Sequence, residues 1–246
     1  MQYMKQYKIL VFDLDDTLID NYENVKHAFE KIANEQGLVY SEKEFLRWYE
    51  IDKNFWRDWQ DGKIKLPEKY KNEVGKKSKG FLDWLRAQRV LRFFGSQLLL
   101  DEAVRINNAY MAALKDNVVP IDGAKEVLTQ LSQKYQIVVA TNGPSIATHD
   151  KLEKIGCLRY VKYILSADMY GYMKPRVEFF EGIQGTINNH KNEDYLIIGN
   201  SLQSDVAFAM NCGTDSCWFN KDKEKVQGGY SPTYIIEHLR ALEDIL

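Results

Sequence analysis

The sequence predicts an α/β fold, a three-layer parallel sheet core interrupted by an all-helical insertion. Three observations carry this expectation. Apolar runs of strand length occur at 8–13, 136–141, 161–167, 194–199 and 214–219, without the alternation of a half-exposed strand. Helical patterns separate the later runs, as in βαβ units. The stretch from about 20 to 117 has no strand pattern and is rich in aromatic residues at helical spacing.

In chain order, KILVFD (8–13) is β-branched and aromatic and suits a central strand covered on both faces. The insertion follows with four helical segments: ENVKHAFEKIANEQG, SEKEFLRWYEIDKNFWRDWQDG, FLDWLRAQRVLRFFG and LLLDEAVRINNAYMAAL. Ser41 with Glu44 reads as a capping box for the second of them. GKIKLPEKYKNEVGKKSKG is a connection that can be helical in part. The core resumes with GAKEVLTQLSQKY (123–135, helix), QIVVAT (strand), SIATHDKLEKIG (145–156, helix) and VKYILSA (strand). RVEFFEGIQGTINNH (176–190, helix), DYLIIG (strand), SDVAFAMNCG (204–213, helix) and TDSCWF (strand) complete it. Gly156 and Gly213 stand where glycines end helices. The expected division is a catalytic core of 1–18 with 118–246 and a helical domain of 19–117. Ligands of open parallel sheets bind beyond the carboxyl ends of the strands. The insertion is then expected to cover that crevice.

Of 246 residues, 45% are apolar and 28% charged, and the net charge is −2. That balance has no basic excess and argues against a nucleic-acid polymer as partner. KYKNEVGKKSKG (69–80) reads as a solvated surface. Cys157, Cys212 and Cys217 form no CxxC pair and are odd in number, so they read as buried free thiols in a reducing compartment. His27, His149, His190 and His238 follow no metal spacing. No apolar segment approaches the twenty residues of a membrane span. The expectation is a cytoplasmic protein without membrane contact, a monomer or weak homodimer.

The chemistry starts where the first strand ends, in Asp13, Asp15 and Asp16. In a strand, residues two apart share a face. Two carboxylates so close repel unless a cation joins them or one is protonated. Mg²⁺ provides the first solution with oxygen ligands, and a carboxylate outside the metal shell can serve as general acid. Asp16 reads as an exposed turn residue without chemistry. QIVVATNG brings Thr141, Asn142 and Gly143 to a strand end that leads into a helix, an anion-binding arrangement. Lys174 precedes what reads as a Pro-started helix and supplies a positive charge. LIIGNSLQSDV brings Asn200, Ser201, Ser204 and Asp205 to a fourth strand end. Acid on one side and donors on the other suit a metal-bound phosphate ester.

These four motifs, hhhhDxDxT, hhhhTN, a lone Lys before Pro, and hhGNxxxxD, resemble those of the haloacid dehalogenase (HAD) superfamily, in its order and across most of the chain. The resemblance implies a Rossmann-like core and, in the helical insertion, the cap of subfamily I. It implies Asp13 as nucleophile, forming an aspartyl-phosphate, and Asp15 as the acid that protonates the leaving oxygen and then the base that activates water. Thr141 and Lys174 would hold the phosphoryl oxygens, Lys174 also keeping Asp13 ionised. Asp13, the Asp15 backbone carbonyl, Asn200 and Asp205 would bind Mg²⁺. Thr17, Asn142, Gly143 and Pro144 would lie on the substrate side, Thr17 ordering the turn after the strand. The second Asp favours an oxygen leaving group over a halide, hence a phosphatase.

The family usually has Asp where this chain has Asn200, whose carbonyl can ligate a cation without adding charge. Either Mg²⁺ binding is weakened or the chain is an impaired phospho-ligand binding protein. NFWRDWQDGKI, the TNGP turn and CWFN…SPTYIIEHLRALEDIL resemble the YjjG-type nucleoside 5′-monophosphatases, which act on pyrimidine and non-standard nucleotides. The implied substrate is a small phosphomonoester, a nucleoside monophosphate; phosphoglycolate or a sugar phosphate is the alternative. Trp48, Tyr49, Phe55, Trp56 and Trp59 offer aromatic faces for a base, but their helical spacing assigns at least half of them to packing.

Overall fold

The computed structural model describes residues 6–60, 62–72, 78–95, 97–143, 145–188 and 190–246, with side chains for all of these except 56, 57, 59, 60, 146 and 168. The chain divides into two compact units, Met1–Asn21 with Val118–Leu246, and Tyr22–Asn117.

The first unit holds a sheet of β1 (Ile9–Phe12), β2 (Gln136–Thr141), β3 (Tyr163–Ser166), β4 (Tyr195–Gly199), β5 (Asp215–Phe219) and β6 (Tyr234–Ile236). All pair in parallel, in the order β3-β2-β1-β4-β5-β6. The lack of alternation in the sequence now has its cause. Leu10 and Phe12 enter one core with Ile137, Val139, Leu196 and Ile198. Ile9 and Val11 enter the other with Val138, Ala140, Tyr195 and Ile197. The central strands β1, β2 and β4 are buried on both faces, so successive positions in them are apolar. Phe12 pairs in register with Val139 and Ile198, which fixes where β1, β2 and β4 end relative to one another.

β2 has the expected bounds, β1, β4 and β5 agree with the sequence expectation to within one residue at each end, and two places differ more. β3 begins at Tyr163 rather than 161, because a 3₁₀ turn, Leu158–Tyr160, occupies the approach. β6 was not expected. It has three residues, and Ile235 is exposed on this edge strand, so it leaves no apolar run to read.

In the second unit, four helices match the four segments read from the sequence: α1 (Asn21–Glu35), α2 (Glu42–Gln60), α3 (Lys79–Phe94) and α4 (Leu100–Ala113). Ser41 accepts the Glu44 N–H at 3.2 Å, while the Glu44 carboxylate pairs with Arg47, so the expected capping box is half formed. Trp48 stacks on Phe29 and meets Tyr110 edge-on. Trp48 and Phe55 are fully buried and pack the core of this unit. The side chains of Trp56 and Trp59 lie outside the described residues. Arg89 is buried with Asp52 as its ion-pair partner, its guanidinium over the Phe55 and Tyr110 rings. A buried arginine needs that pairing.

The first unit's helices are α5 (Ala124–Leu131), α6 (Ser145–Lys154), α7 (Ala167–Tyr170), α8 (Val177–Thr186) and α9 (Ala207–Cys212). α8 begins at Val177 with Arg176 as its N-cap, so the helix after Lys174 does not start on Pro175. A π-helical turn, Leu202–Val206, leads into α9. The three cysteines are buried and free.

Crossovers run from β1 through β2 to β3 on one side and from β4 through β5 to β6 on the other. The change of direction lies between β1 and β4, and open parallel sheets bind their ligands beyond the strand ends at such a point.

Candidate active site

Asp13 is the first residue after β1. Its N–H still donates to Ile198 O at 2.8 Å, extending the ladder by one step and fixing its side chain at the switch point. Lys174, from the loop before α8, is buried and reaches two carboxylates. Its Nζ lies 2.6 Å from Asp13 Oδ1 and 2.6 Å from Asp205 Oδ1. Burial alone would favour the neutral amine, but Asp13 and Asp205 hold Lys174 above the usual lysine range. Burial pushes Asp13 up to about 7, against Lys174 and with Asp205 adding to the rise. The lysine therefore pairs with Asp13 without fully offsetting its desolvation. Lys174 acts on Asp13 in the expected direction, favouring the carboxylate.

Asp205 comes from the π-helical turn, and its Oδ2 accepts the Ser201 N–H at 3.0 Å. Gly199 makes this possible. A Cβ there would stand 2.3 Å from Asp205 Cγ, so only glycine lets the carboxylate lie across the end of β4. The residue after it, Asn200, has its backbone carbonyl fixed by the Trp218 indole N–H at 2.8 Å.

Thr17 is fully buried and ties the loops after β1 and β4 together. Its hydroxyl accepts the Asn200 N–H at 3.1 Å and lies 3.5 Å from both Asp13 Oδ2 and Asn200 Oδ1. These contacts hold the turn after β1 against the loop after β4.

Thr141 ends β2, and its hydroxyl accepts the Gly143 N–H at 3.0 Å. Asn142 uses both ends of its amide on Lys174: Nδ2 donates to Lys174 O at 3.2 Å and Oδ1 accepts the Lys174 N–H at 2.8 Å. It braces the lysine loop. Pro144 lies outside the described residues.

The spacing of Asp13 and Asp15 predicts that they surround one ligand. Here each has its own lysine. Asp15 Oδ1 is 2.6 Å from Lys151 Nζ, on α6. Sequence reading passed over Lys151, since one lysine on an amphipathic helix looks like any other. Asp16 is a correction. It is half-buried, has φ 61° and accepts the Asn21 N–H at 3.1 Å, so it caps the chain entering α1 rather than projecting into solvent. Aspartate tolerates that left-handed backbone better than most residues. Burial and the neighbouring Asp15 push its carboxyl up to about 6.

The candidate cation ligands are all hard oxygens: Asp13 and the Asn200 amide carbonyl beside Thr17, and Asp205, which shares Lys174 with Asp13. Asp13 Oδ2 and Asn200 Oδ1 converge on one hydroxyl, which suits a Mg²⁺-type cation. Among the described residues no group of three His, Cys, Asp or Glu side chains is arranged to hold a metal. Among the same residues no helix is long and apolar enough to cross a membrane.

Several known proteins are similar to this chain over most of their length. The HAD-hydrolase YfnB of Bacillus subtilis is 27% identical over 99% of this chain and 97% of its own. A crystal structure of YfnB described as bound to magnesium superimposes with a TM-score of 0.84 at 25% identity, covering 98% of this chain and 99% of that one. The pyrimidine 5′-nucleotidase YjjG of Escherichia coli is 23% identical over 96% of both chains. The pyrimidine 5′-nucleotidase PynA of Streptococcus pneumoniae is 26% identical over 98% of this chain and 95% of its own. The family model for haloacid dehalogenase-like hydrolases matches residues 7–213, from the approach to β1 through the end of α9, and the chain belongs to that family of hydrolases.

Proposed function

We propose that the protein is a Mg²⁺-dependent phosphomonoesterase acting on nucleoside 5′-monophosphates. The observation that carries the reading is the Lys174 ammonium, 2.6 Å from both Asp13 and Asp205 at the crevice, with Asp15 two residues from Asp13. The similarity to YjjG and PynA, both pyrimidine 5′-nucleotidases, supports the substrate class.

An Asp13 carboxylate oxygen attacks phosphorus while the bond from phosphorus to the ester oxygen breaks. Asp15 gives its proton to that departing oxygen. Water then attacks the phosphorus of the aspartyl-phosphate, Asp15 takes the water's proton, and Asp13 returns as carboxylate with phosphate released. Thr141 and Lys174 hold the phosphoryl oxygens through both steps. Asp13, Asp205, Asn200 and the Asp15 carbonyl are the residues that would hold Mg²⁺, which supplies positive charge for the phosphoryl oxygens when bound.

Asn200 favours a second reading, a phospho-ligand binding protein without turnover. Phosphate release from UMP, dUMP, dTMP, AMP, phosphoglycolate and sugar phosphates at stepped Mg²⁺, with Asp13→Asn as blank, decides between them. Release from nucleotides that disappears in the blank is expected. Release only from the other esters would remove the nucleotidase reading, and none at any Mg²⁺ would leave the binding protein.

A further inference from the structure

Asp13 and Asp15 stand two residues apart and carry two separate lysines. The Asp13–Lys174 pair is enclosed, with side chains 14% and 2% exposed. The Asp15–Lys151 pair stands at the rim, with side chains 36% and 13% exposed. Partly exposed ion pairs contribute little to stability, so stability alone is a poor reason for this one. Its location is more informative.

Lys151 is set by its helix. α6 follows directly on the Thr141–Gly143 turn, and the buried Thr148 and Leu152, three residues before and one after Lys151, anchor it to the core. From there the ammonium reaches back to one oxygen of Asp15, Oδ1. The other oxygen faces the turn that begins with Thr141. A Cβ on Gly143 would be 3.3 Å from Thr141 Oγ1 and 3.9 Å from Asp15 Oδ2. The carboxylate is thus held at one end by a charge-assisted hydrogen bond, leaving the opposite oxygen toward the strand ends.

We infer that Lys151 is the positioning residue of the acid–base carboxylate: by donating to Asp15 Oδ1 it reserves Oδ2 for the proton that passes to the ester oxygen. This rests on the phosphatase reading above. An ammonium has donors and no acceptor, so the oxygen it engages cannot deliver a proton to it and remains the acceptor end of the protonated carboxyl. The proton then resides on Oδ2. It leaves Oδ2 for the departing oxygen as the bond to phosphorus breaks. Without Lys151 the carboxyl rotates freely, and the proton points at the leaving group only part of the time.

The test compares two leaving groups. A nucleoside 5′-monophosphate expels an alkoxide that must be protonated, whereas p-nitrophenyl phosphate expels a phenolate that departs as the anion. The ratio kcat/KM covers the steps through loss of the leaving group, so later hydrolysis of the aspartyl-phosphate does not mask the difference. With Lys151→Met, kcat/KM for the nucleotide should fall about tenfold or more, a fraction of a full general-acid contribution, while that for p-nitrophenyl phosphate changes little. Lys151→Arg, which keeps a donor at similar reach, should recover most of the loss. If Lys151→Met does not fold, Lys151→Gln supports the same comparison. Parallel losses on both substrates in a folded variant, or no loss on either, would overturn the role while leaving the phosphatase reading intact. A wild type that releases phosphate from neither substrate would remove that reading, and this role with it.

Discussion

At the scale of single residues, the site offsets three neighbouring carboxylates with two lysines. Asp13 and Asp205 share Lys174, and Asp15 has Lys151. Asn200 continues the economy of charge by offering an oxygen without adding an anion beside Asp13. Away from the site, Asp194 makes the same point about stability. Its carboxyl is held below the usual carboxylate range by the hydrogen bond from Lys8, 3.0 Å away, with the Lys191 N–H adding to the effect against partial desolvation. A depressed folded-state value stabilises the fold above the unfolded carboxylate value of about 3.9 and loses that effect as pH falls through the folded value. Asp194→Asn should therefore lower stability at pH 7, with the difference closing in acid. Urea denaturation of both proteins at pH 7 and near pH 3 checks the sign; a gap that widens in acid would be contrary to it.

Elements place these residues by where they end. β1, β2 and β4 end within two residues of one another in register: Phe12 pairs with Val139 and Ile198, which puts Asp13 level with Ala140 and Gly199, and Thr141 and Asn200 one residue further on. The approach at β4 is tight enough to be tested. In Gly199→Ala the new methyl must displace Asp205, since it would stand 2.3 Å from its Cγ. Overpacking of this kind costs about 1–3 kcal/mol. The displaced carboxylate also leaves Lys174, so phosphate release should fall with stability. Thermal melts and phosphate release read the two effects, and a variant with wild-type values in both would mean that Asp205 has room the geometry denies it. Sequence periodicity found these elements well when they were long or doubly buried. It missed β6, whose three residues carry no period, and placed the helix after Lys174 two residues early, since Pro175 looks like a first helical residue but Arg176 is the cap.

For the whole molecule, a ligand that binds only the folded protein stabilises it by mass action, about 2.7 kcal/mol at a hundred times its Kd. Mg²⁺ should therefore raise the melting temperature, in the absence of any substrate. Asn200→Asp should shift that response to lower Mg²⁺, about three- to tenfold for a gain near 1 kcal/mol. Differential scanning fluorimetry across a Mg²⁺ series measures both. An Asn200→Asp protein whose response is no more sensitive than wild type would mean that the amide is not in the metal shell.

The sequence by itself determined the kinds of element and the chemistry at their ends. Period and composition are local, and burial on both faces writes itself directly into runs such as ILVF and YLIIG. The family's motifs were legible for the same reason, since each is a short segment, three of them at the ends of β1, β2 and β4. Only the tertiary structure decided which charges meet. Lys174 and Asp13 are 161 residues apart, Lys151 and Asp15 136 apart. Those pairings follow from strand order and register, which no local pattern encodes. The same holds for Thr17, Asn142 and Asp16. Their residue types suit either a ligand or the backbone, and only the packed loops show that their polar atoms are occupied by Asn200, Lys174 and Asn21.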